Sequence, residues 1–225
     1  MSRWVLSCGL LLAGSASAAV VVSGPDFKSV ADRVHALTVL VRARAFVMGR
    51  DAGGHLHVDE GLSATSGILV GGALAVTDLS SVTLPGKDGK PEPVAAIEVV
   101  LPEVGTVPAQ VAAVDKDLGI AVLRLPDETR ELPGAVLATA DGAESEARIA
   151  IGADDTHLRA IPVVVRADPS GSRLSLDRAL PDFFRGGPLF DAQGHLAGVM
   201  VGAGAAVSSS QLRALLDKLA GAGGI

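Results

Sequence analysis

Gly187-Pro188-Leu189-Phe190-Asp191-Ala192-Gln193-Gly194-His195-Leu196-Ala197-Gly198-Val199 sets two short apolar runs on either side of a polar tetrapeptide. Gly187–Phe190 and His195–Gly202 each have the length of a β-strand, and Asp191-Ala192-Gln193-Gly194 has the composition of a hairpin turn. Working outward, the same grammar recurs. Short β-rich runs bounded by Gly, Pro, Asp or Ser cover Thr38–Val47, Ser66–Thr77, Val94–Leu101, Thr106–Asp115, Ile120–Leu125, Arg148–Ile151, Ile161–Ala167 and Leu174–Leu176. Lys87-Asp88-Gly89-Lys90 reads as a second hairpin connection. Many short strands at close spacing indicate a sandwich or barrel rather than a parallel α/β sheet. Helical patterning is confined to the ends. Asp26–Leu37 puts Val30, Val34 and Leu37 on one face. Ser208-Ser209-Ser210 can cap a helix whose Leu212, Leu215, Leu216 and Leu219 share a face, with Gly221 ending it.

Composition narrows the function. Of 225 residues, 48% are hydrophobic and 20% charged, which is enough to bury a full core. The net charge is −6 and no Lys/Arg run stands out, so nucleic acid is not indicated as a partner. Residues 1–18 read as a cleavable signal peptide. Arg3 gives a positive start, Val5–Ala13 an apolar run too short to span a membrane, and Ala16-Ser17-Ala18 a cleavage site. Export to the periplasm or beyond is the expectation. The one Cys (Cys8) and the one Trp (Trp4) both lie in this leader, and the chain has no Tyr. The exported form therefore has no disulfide. The polar, proline-containing stretch Pro126–Gly134 divides the strands into two groups of similar size. The expected organisation is residues 19–125 for the entry helix and a first barrel, 126–134 for a linker, 135–207 for a second barrel and 208–225 for the closing helix and tail.

At this point the residues resemble a family. Ala64-Thr65-Ser66-Gly67-Ile68-Leu69-Val70 through Ala75-Val76-Thr77-Asp78-Leu79-Ser80-Ser81-Val82 is similar to the Gly-Ser-Gly strand and T-N-N-H-like corner of the trypsin-like HtrA/Deg serine proteases. Asp115-Lys116-Asp117-Leu118-Gly119-Ile120-Ala121-Val122-Leu123-Arg124 is similar to their D-x-x-x-D-[LI]-A-[VL]-L-[KR] strand. Ile149-Ala150-Ile151-Gly152 matches an apolar-A-I-G segment. Phe183-Phe184-Arg185-Gly186-Gly187-Pro188-Leu189, followed by Gly194-His195-Leu196-Ala197-Gly198-Val199, matches the G-N-S-G-G-P-L hairpin. Ala205-Ala206-Val207-Ser208 opens the counterpart of the closing helix. Order and spacing across about 180 residues carry the resemblance. It implies an all-β fold of two antiparallel six-stranded β-barrels, with short N- and C-terminal helices and a cleft between the barrels.

The family's reaction is acyl transfer by a Ser–His–carboxylate set, with two backbone N–H groups holding the oxyanion. Carried over residue by residue, the nucleophile position falls on Arg185, and a guanidinium offers no lone pair for attack. The base position falls on Ser80, whose hydroxyl cannot take a proton near pH 7 as an imidazole can. The carboxylate position falls on Gly119. The glycine that opens the oxyanion turn falls on Phe183, so the oxyanion-hole equivalents are Phe183 and Arg185. A register slip would bring in Asp78 or Asp117, each two positions upstream, but not a base. No His lies between His57 and His157, and no Ser occurs from Asp177 through Val207. Losing one triad member in such a mechanism costs on the order of 10⁴–10⁶ in rate.

Other polar residues carry less. His55, His57 and Asp59 alternate and could ligate a metal, but three ligands from one strand rarely close a coordination sphere, so a solvated face is the better reading. Ser170-Gly171-Ser172 reads as a turn. His35, His157 and His195 have no evident catalytic partner. Arg185 with Asp182 and Asp177 nearby could form an ion pair or take a carboxylate. Phe183, Phe184 and Arg185 are the candidate partner-binding residues, with filling of the vacated cleft as the alternative for the two rings. The expected function is a catalytically inactive HtrA-like pseudoprotease that binds protein or extended peptide in the cell envelope, with no cofactor. Two alternatives are a hydrolase using Ser80 or Ser81 with a distant His, and a structural subunit of an envelope complex.

Overall fold

The structure, a computed structural model, describes residues 26–50, 53, 55–85, 91–139, 145–154, 157–167 and 173–221. Residues 1–18, expected to be a leader, the Lys87–Lys90 connection and Ser170-Gly171-Ser172 lie outside the described residues. Helix α1 (Phe27–Val34) opens the fold; Asp26 caps it by accepting the Ser29 N–H, and Val30 and Val34 are its buried face. A short 3-10 turn, His35–Leu37, leads into β1 (Thr38–Arg50). Then follow β2 (Leu56–Gly71), β3 (Leu74–Asp78), β4 (Thr83–Pro85), β5 (Pro91–Pro93), β6 (Ala96–Leu101), β7 (Gly105–Asp115) and β8 (Ile120–Arg124). The second half holds β9 (Glu146–Ala153), β10 (Leu158–Ala167), β11 (Leu174–Leu176), β12 (Pro188–Phe190), β13 (Leu196–Met200), β14 (Ala205–Ser208) and helix α2 (Ser209–Gly221).

Six strands close each barrel, in the order β1-β2-β3-β8-β7-β6 and β10-β11-β14-β13-β12-β9, and every ladder in them is antiparallel. β4 and β5 form a separate two-stranded ribbon. The two-barrel expectation therefore holds. Alternation along the strands sorts side chains into three cores. Val39, Val41, Ala75, Val99, Ala121 and Leu123 fill the first barrel. Ala150, Val163, Phe184, Leu189 and Met200 fill the second. The opposite faces of the same strands, with Ile68, Val76, Ile120, Ile151, Leu196 and Val207, press the barrels together under α1 and α2. Among the described residues no helix is long and apolar enough to cross a membrane.

Two strand expectations are corrected. Ser66–Thr77 is not one run but a hairpin, because Gly71, Gly72 and Ala73 all take positive φ (89°, 63° and 61°) and turn the chain. Ala205–Ser208, taken above as the opening of the closing helix, is β14; its pairing with β11 and β13 overrides the helix propensity of its alanines.

Candidate functional site: the joint between the barrels

Ser80 sits on the 3-10 turn Leu79–Val82 that ends β3. Asp78 builds that turn. Its Oδ1 accepts the Ser80 N–H at 2.7 Å and also the Ser80 hydroxyl, a short Asx-type closure. Gly119 closes the turn between β7 and β8 at φ +72°, and its carbonyl accepts the Leu79 N–H at 2.8 Å. Ser80 and Gly119, to which the resemblance assigns the base and carboxylate positions, thus stand on adjoining turns. No carboxylate stands at 119; the space beside it belongs to Arg173, whose Nη2 lies 3.9 Å from where a Gly119 Cβ would be and donates to Asp117 O at 3.1 Å.

Arg185 reaches the same joint from the second barrel. Its carbonyl accepts the Ser66 N–H at 2.9 Å, and the next residue, Gly186, packs on Ser66 and Thr77. The residues before it, Asp182–Phe184, form a 3-10 turn. That turn consumes the Arg185 N–H, which donates to Asp182 O at 2.9 Å. An oxyanion hole needs this N–H aimed at solvent space where substrate will sit; here it points back into its own turn. The Arg185 Nε lies 3.1 Å from Asp182 Oδ1, an ion pair whose carboxylate is 83% exposed and whose Nε is buried without hydrogen-bond alignment. Asp177, grouped with Arg185 above, is elsewhere. It pairs with Arg178 (3.1 Å) and accepts the Val164 N–H (3.0 Å), and these two contacts, Arg178 first, hold its carboxyl below the usual carboxylate range.

The two phenylalanines separate. Phe184 is fully buried in the second barrel and presses on Gly152, where a Cβ would come within 2.9 Å of the ring. It is core, not partner surface; glycine at 152 opens the space that draws it in. Phe183 stays half-buried, stacks on Phe184 with ring centroids 4.7 Å apart, and carries the Arg159 guanidinium 5.3 Å above its ring. The segment that leads into Arg185 is bonded to the far side of the second barrel. Leu176 N–H donates to Gly204 O (3.0 Å) and Leu180 N–H to Ala203 O (2.6 Å), zipping the approach segment onto the segment that follows β13.

Two of the histidines, His35 and His195, stand away from the joint. His35 Nδ1 is 2.7 Å from Asp32 O at the end of α1, and His195 Nδ1 is 3.4 Å from Asp191 Oδ2 in the β12–β13 hairpin. Ser80 Oγ donates to Asp78, and Ser81 Oγ is buried without a hydrogen-bond partner, so neither hydroxyl is bonded to a described imidazole.

Two residues to which sequence reasoning gave no structural role, Ser66 and Asp78, hold the joint. Buried Ser66 Oγ donates to Phe183 O (2.5 Å) and accepts the Ala153 N–H (2.7 Å). Buried Asp78 spans the barrels, its Oδ2 accepting the Gly202 N–H at 3.2 Å. The Asp-x-Ser spacing of an Asx turn was the available signal. Asp78→Ala strands the Ser80 and Gly202 N–H groups and should cost about 2–3 kcal/mol in urea unfolding followed by circular dichroism. Asp78→Asn, which keeps one carbonyl oxygen but turns an amide towards a donor, should cost less. Equal stability of all three proteins would show that the clamp contributes nothing.

With this geometry in place, the class follows: a two-barrel fold with a cleft joint of the chymotrypsin kind. The family model of the trypsin-like peptidase domain matches residues 65–199, and the chain belongs to that family. Among solved structures, it is similar to a serine-to-alanine variant of the HtrA-type protease AlgW solved with a decapeptide, at TM-score 0.72 and 17% identity over 88% of this chain and 67% of that one. It is also similar to the Rv3671c protease of M. tuberculosis in its active form, at TM-score 0.65 and 18% identity over 93% of this chain and 94% of that one. No curated protein sequence matches the chain.

Proposed function

We propose that this protein is a catalytically silent member of the trypsin-like peptidase domain family, exported by its leader to the cell envelope, where it binds protein or extended peptide rather than cutting it. The observation that carries the reading is Arg185. A guanidinium occupies the position of attack, and the backbone N–H beside it is already bonded to Asp182 O. Ser80 and Gly119, at the base and carboxylate positions, supply neither proton acceptor nor carboxylate. Phe183, half-buried with Arg159 above it, and Arg185 are the side chains that a bound partner would meet at the joint.

The test is incubation of the purified chain, without its leader, with unfolded polypeptides and with a serine-reactive fluorophosphonate probe. No turnover and no covalent labelling is the expected result. Labelling that disappears on Ser80→Ala or Ser81→Ala would overturn the proposal in favour of hydrolysis by a different residue set.

A further inference from the structure

Strand β10 is covered on one side by β9, which pairs with Leu158–Val165. On the other side, cover begins only at Val164. β11 pairs with Val165–Ala167, while Asp177 closes on Val164, giving its N–H to Val164 O (2.9 Å) and taking the Val164 N–H on its carboxylate (3.0 Å). This fixes the phase of the edge. Backbone groups of an antiparallel strand point to alternate sides, so Leu158, Ala160 and Pro162 face the same way as Val164. Pro162 agrees, since a residue without an N–H is accommodated on the side that β9 does not use. Among the described residues no strand lies against Leu158, Ala160 or Pro162, and all three are exposed.

The open edge borders a cavity of about 450 Å³ that runs under α1. Phe27, Ala31, Ile149, Ile151, Leu158 and Pro162 make its apolar walls. An edge offering donors and acceptors at every second residue, beside a groove that takes apolar side chains, has the two halves of strand-addition recognition.

We infer that the Leu158–Pro162 edge of β10 takes an extended segment of another protein as an added strand, with alternate apolar side chains entering the groove under α1. The site is distinct from the Arg185 joint, and the inference rests on the binding function proposed above. The partner bonds to both backbone groups of Leu158 and Ala160 and to the carbonyl of Pro162, and the missing N–H of Pro162 ends the ladder. A second copy of this chain is the poorer occupant, because each copy carries a net charge of −6.

The probe is a fluorescein-labelled peptide of about ten residues alternating valine and threonine, titrated with the purified chain and read by fluorescence anisotropy. N-methylation of single amides along the peptide should weaken binding by roughly five- to tenfold at every second position and leave the positions between unchanged, the loss expected for one hydrogen bond. Ala160→Pro removes an outward N–H without touching the β9 ladder and should weaken binding by a similar factor, while the circular dichroism spectrum stays unchanged. Leu158→Asp should weaken it at the groove. Binding without the two-residue alternation, and indifferent to Ala160→Pro, overturns the edge site while leaving peptide binding intact. No binding of the probe at all counts against both. A dimer that Ala160→Pro dissociates overturns the choice of occupant.

Discussion

Gly186→Ala should lower stability by roughly 4 kcal/mol or more, enough to drop the melting temperature of a domain of this size by about 10 °C. Two separate costs combine. Gly186 has φ +74°, where an L side chain costs about 1–2 kcal/mol. An added Cβ would also stand 2.2 Å from Ser66 O and 2.3 Å from Thr77 Oγ1, at the seam where the barrels touch. Neither neighbour can swing aside. Ser66 is held by its bonds to Arg185 O, Phe183 O and the Ala153 N–H, and Thr77 Oγ1 donates to Ser66 O at 2.7 Å. Gly105→Ala separates the two costs. Gly105 has φ +99° with nothing within 4 Å of its would-be Cβ, so it should show the backbone cost alone. Calorimetry or far-ultraviolet circular dichroism is the readout, because Trp4 is the one Trp of the sequence and there is no Tyr. Equal losses for the two substitutions would mean that the barrels part without cost at Gly186.

Phe184→Ala should cost about 3–5 kcal/mol, the range for removing a fully buried aromatic ring. Its partner in the argument is Gly152. A methyl there would meet the Phe184 ring at 2.9 Å and the Phe183 ring at 3.0 Å, so Gly152→Ala alone is also destabilising. Together the two changes should cost less than their sum, because the new methyl enters space the ring has left. Additive losses in the double-mutant cycle would show that the two residues do not share that space.

These two residues also show why the sequence was legible where it was. Gly186-Gly187-Pro188-Leu189 could be recognised because its glycines answer to packing. Gly186 lies on Ser66, and a Cβ on Gly187 would stand 2.3 Å from Ile151 O. Such positions admit little besides glycine in any molecule with this seam, whatever chemistry it performs. Strand alternation likewise reveals the barrels, because buried positions recur every two residues. The contents of the joint were less legible. Arg185, Ser80 and Gly119 could be assigned only through the resemblance, since nothing in their local sequence distinguishes a cleft residue from a surface turn. That Phe184 points inward follows from Gly152, 32 positions away, and that Asp78 clamps the barrels follows from Gly202. Local patterning carries no record of such meetings. The break of Ser66–Thr77 into a hairpin was hidden for a related reason: Ala73, an ordinary helix former, takes a left-handed conformation imposed by the turn.

The Ser66 and Asp78 bonds join residues 117 and 124 positions apart. Non-local stitching of this kind slows folding, because the ends of a long loop must meet before the contact rewards them. During synthesis the first half of the chain would be complete while the outer faces of Ile68, Val76 and Ile120 still lacked their cover from the second half. On the export proposed above, that delay would be useful. A chain that cannot finish its seam until its last strands arrive would remain open long enough to be threaded across a membrane and would close only on the far side.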